Sequence, residues 1–148
     1  FHLENGCTSA VISNEITKEE IDEIINNSIK PLILPIFGKN NIMYSRRTLL
    51  TNFNKHAGLN DYNDMVLNEK ITGNKFLVRE SEYGTYIFNN TYFNYVSLIP
   101  KYEDKVMFFL VLNLDLSVGE IKDVIDGKNY GDDGFLNRKT VFKLEDYK

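Results

Sequence analysis

The sequence predicts an α/β protein, and three observations carry that expectation. A β-branched run (Val11-Ile12-Ser13), a capped helix and an apolar run (Leu32 to Phe37) follow one another as β-α-β. A continuous apolar run, Val106 to Leu112, reads as a strand covered on both faces, as in parallel sheets, and a second capped helix follows it. Between these blocks, two strand-like runs flank a tight turn and add a β-hairpin.

In the first block, Thr17-Lys18-Glu19-Glu20 has the form of a capping box, with Thr17 as N-cap and Glu20 reaching back. Ile21, Ile24 and Ile25 make the apolar stripe of that helix. A unit of this kind implies parallel strands joined by a right-handed crossover. Glu15 lies between the first strand's carboxyl end and the helix. It is a candidate catalytic carboxylate, or else a helix-terminal charge favoured by the dipole. Pro35 cannot donate to a ladder, so the second strand is expected at a sheet edge or irregular there.

The strand ends at Gly38, and Lys39-Asn40-Asn41 make a polar connector. Ile42-Met43-Tyr44-Ser45 leads into Arg46 and Arg47, which open a segment of helical spacing. Leu49, Phe53 and Ala57 fall four apart, with Leu50 beside them, so one face is expected to be apolar. Lys55 and His56 sit in the last turn, and Gly58 stands where a left-handed cap closes it. The arginines are either solvated charge or part of an anion site at a helix N-terminus whose N–H groups lack partners. Tyr44 and Arg79 join them as candidate substrate-binding residues.

Leu59 to Gly73 is polar and reads as a connection with one helical turn at Tyr62 to Leu67. Phe76 to Arg79 and Thr85 to Phe88 flank a turn at Tyr83-Gly84. Tyr92, Phe93, Tyr95, Val96 and Ile99 read as core, with stacking on bases or sugars as the alternative use of such a row. Ser117 and Glu120 form the second capping box, and Val118, Ile121, Val124 and Ile125 are expected to pack that helix inward. Asp115 then lies at the carboxyl end of a buried strand, where barrel enzymes keep their chemistry. Gly127 to Gly134 is turn-rich, and Thr140 to Leu144 reads as a last short strand or extended tail.

Composition closes several doors. The 148 residues carry 17 Lys and Arg against 21 Asp and Glu, a net charge of -4, which argues against nucleic-acid binding by bulk charge alone. One cysteine and two histidines exclude an internal disulfide and argue against a self-contained zinc or iron–sulfur site. No metal and no cofactor is expected. No apolar run reaches the eighteen or so residues of a membrane span, and no signal pattern opens the chain. The cytoplasm is the default location. Residues 1–148 read as one domain, and without an initiator Met the expectation is a piece of a longer protein.

Four blocks together resemble the collagenase-like peptidase U-32 family. IFGKNNIMYSRRTLLTNF is similar to the family segment in which a strand ends in His-Gly or Tyr-Gly and runs through a Met- or Cys-containing loop into Ser-Gly/Lys-Arg-x-Leu-x-(Ser/Thr)-Asn. AVISNEITKEEI resembles its Ser-x-Glu-Leu-(Ser/Thr)-x-x-Glu-(Ile/Leu) segment. KFLVRESEYGTYIFNNTYFNYVSLIP resembles an (Arg/Lys)-Glu pair followed by a Gly-Thr-(His/Tyr)-Ile-Phe-(Asn/Ser) strand and then a helix ending in a proline or glutamate. GFLNRKTVFKLED resembles a Gly-Phe-(Leu/Phe)-x-x-x-Thr-(Ile/Val)-Tyr-Lys ending. Where cluster-bearing members place cysteines, this chain has residues such as Ile42 and Thr48, so the cluster-free members match better. Near Asp115 the family has a Lys/Arg-Ile-(Asp/Glu) motif, and Asn113 takes the basic residue's place.

The resemblance implies strand–helix units from the later part of a (β/α) TIM-like barrel. It implies either a collagenase-like peptidase, acting on peptides, or, as in related bacterial members, tRNA uridine hydroxylation. In the latter, a cluster-free chain works beside a cysteine-bearing paralogous subunit. Self-assembly of the chain is left open. A different class, a non-catalytic ligand-binding α/β sensor module cut from a bacterial receptor, also fits the run YIFNNTYFNYVSLIP before the strand at Val106 to Leu112.

Overall fold

The computed structural model describes residues 4–60, 62–128 and 130–138. In chain order the elements are β1 (Ala10–Val11), α1 (Lys18–Asn27), β2 (Leu32–Gly38), β3 (Asn41–Ser45), α2 (Leu49–Ala57), β4 (Asp64–Asn68), β5 (Lys75–Ser81) and β6 (Gly84–Asn89). There follow β7 (Phe93–Asn94), a 3₁₀ turn (Val96–Leu98), α3 (Ile99–Tyr102), β8 (Phe108–Leu112) and α4 (Val118–Ile125). The protein is mixed α/β. The chain divides into two compact units, Phe1–Gly38 with Tyr92–Lys148, and Lys39–Thr91. Among the described residues neither sheet closes into a barrel, and no helix is long and apolar enough to cross a membrane. The strand expected at Thr140 to Leu144 lies outside the described residues.

The first unit is built on β2. Strands β1 and β8 run parallel to it and β7 antiparallel. The β-α-β reading holds: the Glu20 N–H donates to Thr17 Oγ1 (3.3 Å), and the Thr17 N–H donates to Glu20 Oε2 (2.8 Å). Ile21 and Ile25 turn inward from α1 and meet Leu32, Leu34 and Ile36 of β2 in one cluster. Phe93 and Tyr95 of the aromatic row complete that core as expected, joined by Leu98 and Tyr102. The second capping box also forms, with Glu120 N–H on Ser117 Oγ at 3.3 Å, but of the expected inward stripe only Val124 is buried, while Val118 and Ile125 are exposed.

Two expectations about strands change places. The central strand is β2, whereas β8 pairs only with β2 and leaves Phe108 59% exposed. The apolar run at Val106 to Leu112 is therefore not covered on both faces. Pro35 sits in the central strand instead of at an edge, and it tolerates that place for a local reason. The Ile33 carbonyl accepts from the Ile12 N–H toward β1, so by alternation Pro35's missing donor faces that same flank. There β1 pairs only as far as Ile33 and β7 begins at Phe37, so no ladder bond is lost. The expected irregularity is present as a register shift against β8 between Pro35 and Phe37.

The second unit is an antiparallel sheet of order β3-β6-β5-β4 with α2 on one side. The hairpin forms with Glu82-Tyr83 as its turn, between the paired Ser81 and Gly84. Gly84 is required there. Its φ is +129°, and a Cβ would lie 2.2 Å from the Ser45 carbonyl oxygen of β3. The helical turn expected at Tyr62 to Leu67 is corrected, because Asp64–Asn68 is the edge strand β4, paired residue for residue with β5. Asn41 to Ser45, read as loop, is likewise a strand paired with β6. In α2 the Gly58 cap is left-handed as expected (φ 65°), but the buried residues are Leu50 and Asn54. Phe53 is 48% exposed and Ala57 is exposed, so the Leu49/Phe53/Ala57 stripe is not the packed face.

Candidate functional site

The start of α2 lies against the hairpin, and the two sequence segments complete one another. Thr48 is at the N-cap but its side chain makes no capping bond, which leaves the first N–H groups of the helix to be met from elsewhere. The Leu49 N–H donates to Thr85 Oγ1 (3.0 Å), the Leu50 N–H to Glu80 Oε2 (2.8 Å) and the Thr51 N–H to Glu80 Oε1 (3.2 Å). The Thr51 hydroxyl also bonds Oε1. Thr85 Oγ1 lies 2.7 Å from the Arg47 carbonyl and 2.8 Å from Glu80 Oε2, and its single proton serves one of them. Glu80 and Thr85 are both buried.

The anion position at this helix is thus filled by the protein's own carboxylate. That corrects the expectation of N–H groups without partners beside Arg46 and Arg47. Burial by itself pushes the Glu80 carboxyl up. The bonds from Thr51, Thr85 and the two backbone N–H groups outweigh it and hold the group below the usual glutamate range.

The opposite face of the sheet carries the other candidates. Tyr44, Tyr86, Arg79 and Asp64 stand in one register row across all four strands. The Tyr44 and Tyr86 rings are 4.9 Å apart, and Phe88, two residues along β6 and so on the same face, stacks 6.2 Å from Tyr86. The Tyr44 hydroxyl donates to the Tyr83 carbonyl (2.7 Å), which fixes that ring across the hairpin turn. Arg79 grips Asp64 with two bonds, Nε to Oδ1 at 2.8 Å and Nη2 to Oδ2 at 2.9 Å, and holds that carboxyl below its ordinary range. Its guanidinium is therefore engaged within the sheet. Arg46 and Arg47 follow β3 directly and both are exposed, with the Arg47 N–H on Ser45 Oγ at 3.2 Å.

The two carboxylates proposed for catalysis lie in the other unit. Glu15 is exposed in the loop after β1, its N–H on Ser13 Oγ at 3.1 Å. Asp115 is exposed after β8 in a left-handed turn, φ 63°. Both follow the carboxyl ends of strands that flank β2 in parallel. Buried or half-buried tyrosines brace these loops. The Tyr95 hydroxyl donates to the Asn14 carbonyl (2.9 Å) and the Tyr92 hydroxyl to the Leu114 carbonyl (3.0 Å). Burial raises both hydroxyls above their ordinary range, and for Tyr92 the charges of Asp115 and Glu120 add to it, so both stay protonated donors.

The predicted residues thus fall into two groups: Tyr44, Arg46, Arg47 and Arg79 in the second unit, Glu15 and Asp115 in the first. Sequence reasoning missed Glu80, Thr51 and Thr85 as a group. No spacing signal marked them, because the Glu80 contacts to α2 span 29 and 30 positions. Among the described residues no cluster of His, Cys, Asp and Glu could hold a metal ion, and Cys7 is exposed. Comparison with family models, with curated proteins and with solved structures found no match to this chain.

Proposed function

We propose that the chain is the later part of a (β/α) barrel of the collagenase-like peptidase U-32 type, serving as a cluster-free subunit in tRNA uridine hydroxylation. The observation that carries the barrel reading is the exposure, among the described residues, of apolar side chains on one face of the parallel sheet. Val11, Ile33 and Phe108 are register partners on β1, β2 and β8, and Val11 and Phe108 are 57% and 59% exposed. Parallel sheets are ordinarily covered on both faces, and a barrel interior is filled by such apolar side chains in layers. The other face already holds Leu32 and Leu34 against α1.

Hydroxylating a uridine oxidises it and requires an oxygen donor. With one cysteine and two histidines, this chain's share would be to bind and orient RNA, and the redox chemistry would lie with a cysteine-bearing paralogue. The test is mass spectrometry of tRNA nucleosides from cells with the gene deleted and then restored. Loss of the oxygen increment on uridine, regained on complementation, is the expected result. An unchanged nucleoside profile, together with gelatin hydrolysis by the purified protein, would move the assignment to the peptidase.

A further inference from the structure

The net charge of the whole chain, -4, hides an internal asymmetry. Residues 39–91 hold seven Lys and Arg and five Asp and Glu, a balance of +2, so the acidic excess belongs to the remainder. Within that basic unit, the sheet face away from α2 is aromatic. Tyr44, Tyr86 and Phe88 form a continuous row of rings, and Tyr44 keeps 48% of its surface exposed. Val66 of β4 adds exposed apolar surface to this face, while Leu77 of β5, between it and Phe88, is buried. Cations border the row. Arg46 and Arg47 leave the end of β3 beside Tyr44, and Lys75 lies on the same face as Leu77. The one carboxylate in the row, Asp64, is neutralised by Arg79.

We propose that this face binds single-stranded RNA, with successive bases stacked on Tyr44, Tyr86 and Phe88 and the phosphates met by Arg46 and Arg47. It rests on the RNA reading above for its setting, and on this sheet for its chemistry. A β-sheet face with one exposed and two half-buried aromatic rings, edged by cations, suits unpaired nucleotides, because every base has a π-face. Duplex RNA offers no free face to such a row. The Tyr44 hydroxyl bond to Tyr83 holds its ring in place before any ligand arrives, which lowers the ordering cost of stacking.

The experiment is fluorescence anisotropy of the whole chain with labelled oligo(U) of about ten nucleotides, with oligo(dT), a duplex of equal length and poly-glutamate as further arms. Oligo(U) is expected to bind, and duplex and poly-glutamate at least about tenfold less tightly. Tyr44→Leu and Tyr86→Leu keep apolar surface but lose the aromatic platform. Each is expected to weaken oligo(U) by about fivefold or more, the size of one lost stack. Arg46→Ala and Arg47→Ala are expected to lower the slope of log affinity against log salt by about 0.7 each, with melting unchanged. Tyr44→Leu, at an exposed position, keeps the test open if Tyr86→Leu unfolds. Tighter oligo(dT) than oligo(U) would overturn the assignment to RNA. Equal binding of duplex or poly-glutamate, or folded tyrosine variants that bind as the wild type does, would overturn the stacking face. Because this readout is binding, its failure stays distinct from failure of the nucleoside test, which reads chemistry.

Discussion

Glu80 is the residue on which the second unit turns. Its carboxylate satisfies two helix N–H groups and a hydroxyl from 29 or 30 positions away, so it is at once a cap and a tertiary tie. Glu80→Ala would leave the Leu50 and Thr51 N–H groups unmatched, at a cost of roughly 2–4 kcal/mol. Because the folded group is held below the ordinary glutamate value, its contribution is complete above about pH 4.3 and is lost as pH falls through the depressed folded value. Glu80→Gln removes that titration. Melting curves of wild type and Glu80→Gln between pH 7 and pH 3 are expected to converge on acidification. A gap that stays constant with pH would show that the carboxylate's charge is not what the helix uses.

The parallel sheet separates two adjacent phenylalanines at the scale of the element. Phe109 packs against the core cluster, while Phe108 is exposed on the other face. In this chain, Phe109→Asp is expected to cost roughly 3 kcal/mol or more, since it buries an unpaired charge, and Phe108→Asp about 1 kcal/mol or less. Urea denaturation of both variants checks the pair. Equal losses would mean that the Phe108 face is packed after all, and an unaffected Phe109→Asp would mean that β8 is misaligned. The proline of β2 belongs at this scale too. Its tolerance depends on where β1 stops and β7 starts, a property of three strands together.

At the scale of the molecule, the second unit is a continuous insertion between β2 and β7, and the first is assembled from the sequence on either side of it. Each carries its own buried residues, Ile21, Leu34 and Tyr95 in one, Leu50, Val78 and Thr85 in the other. The candidate residues divide the same way, with carboxylates at strand ends in one unit and aromatics and arginines in the other. Ligand supply is a whole-chain property as well. With one cysteine and two histidines, purified protein is expected to contain less than about 0.1 equivalents of iron or zinc, the four-ligand requirement being out of reach. Stoichiometric metal in elemental analysis would refute this, unless subunits share a site.

What the sequence determined by itself is local. Both capping boxes, the Gly58 cap, the β-α-β unit and the hairpin were legible because their partners lie within a few residues, where spacing alone fixes the geometry. The α2 stripe was misread because Leu49, Phe53 and Ala57 have the right period, yet the hairpin fixes the helix by its end and turns Leu50 and Asn54 inward. β4 was misread because Met65-Val66-Leu67 is too short to display a period, and only pairing with β5 makes it a strand. Arg46 and Arg47 could be seen as charges near a helix start. That the start was already occupied by Glu80 depends on a contact spanning some thirty residues. Likewise, Tyr44, Tyr86 and Phe88 become one surface only through the register of β3 on β6. Long-range register and capping carry no sequence period, and so the tertiary structure alone decided them.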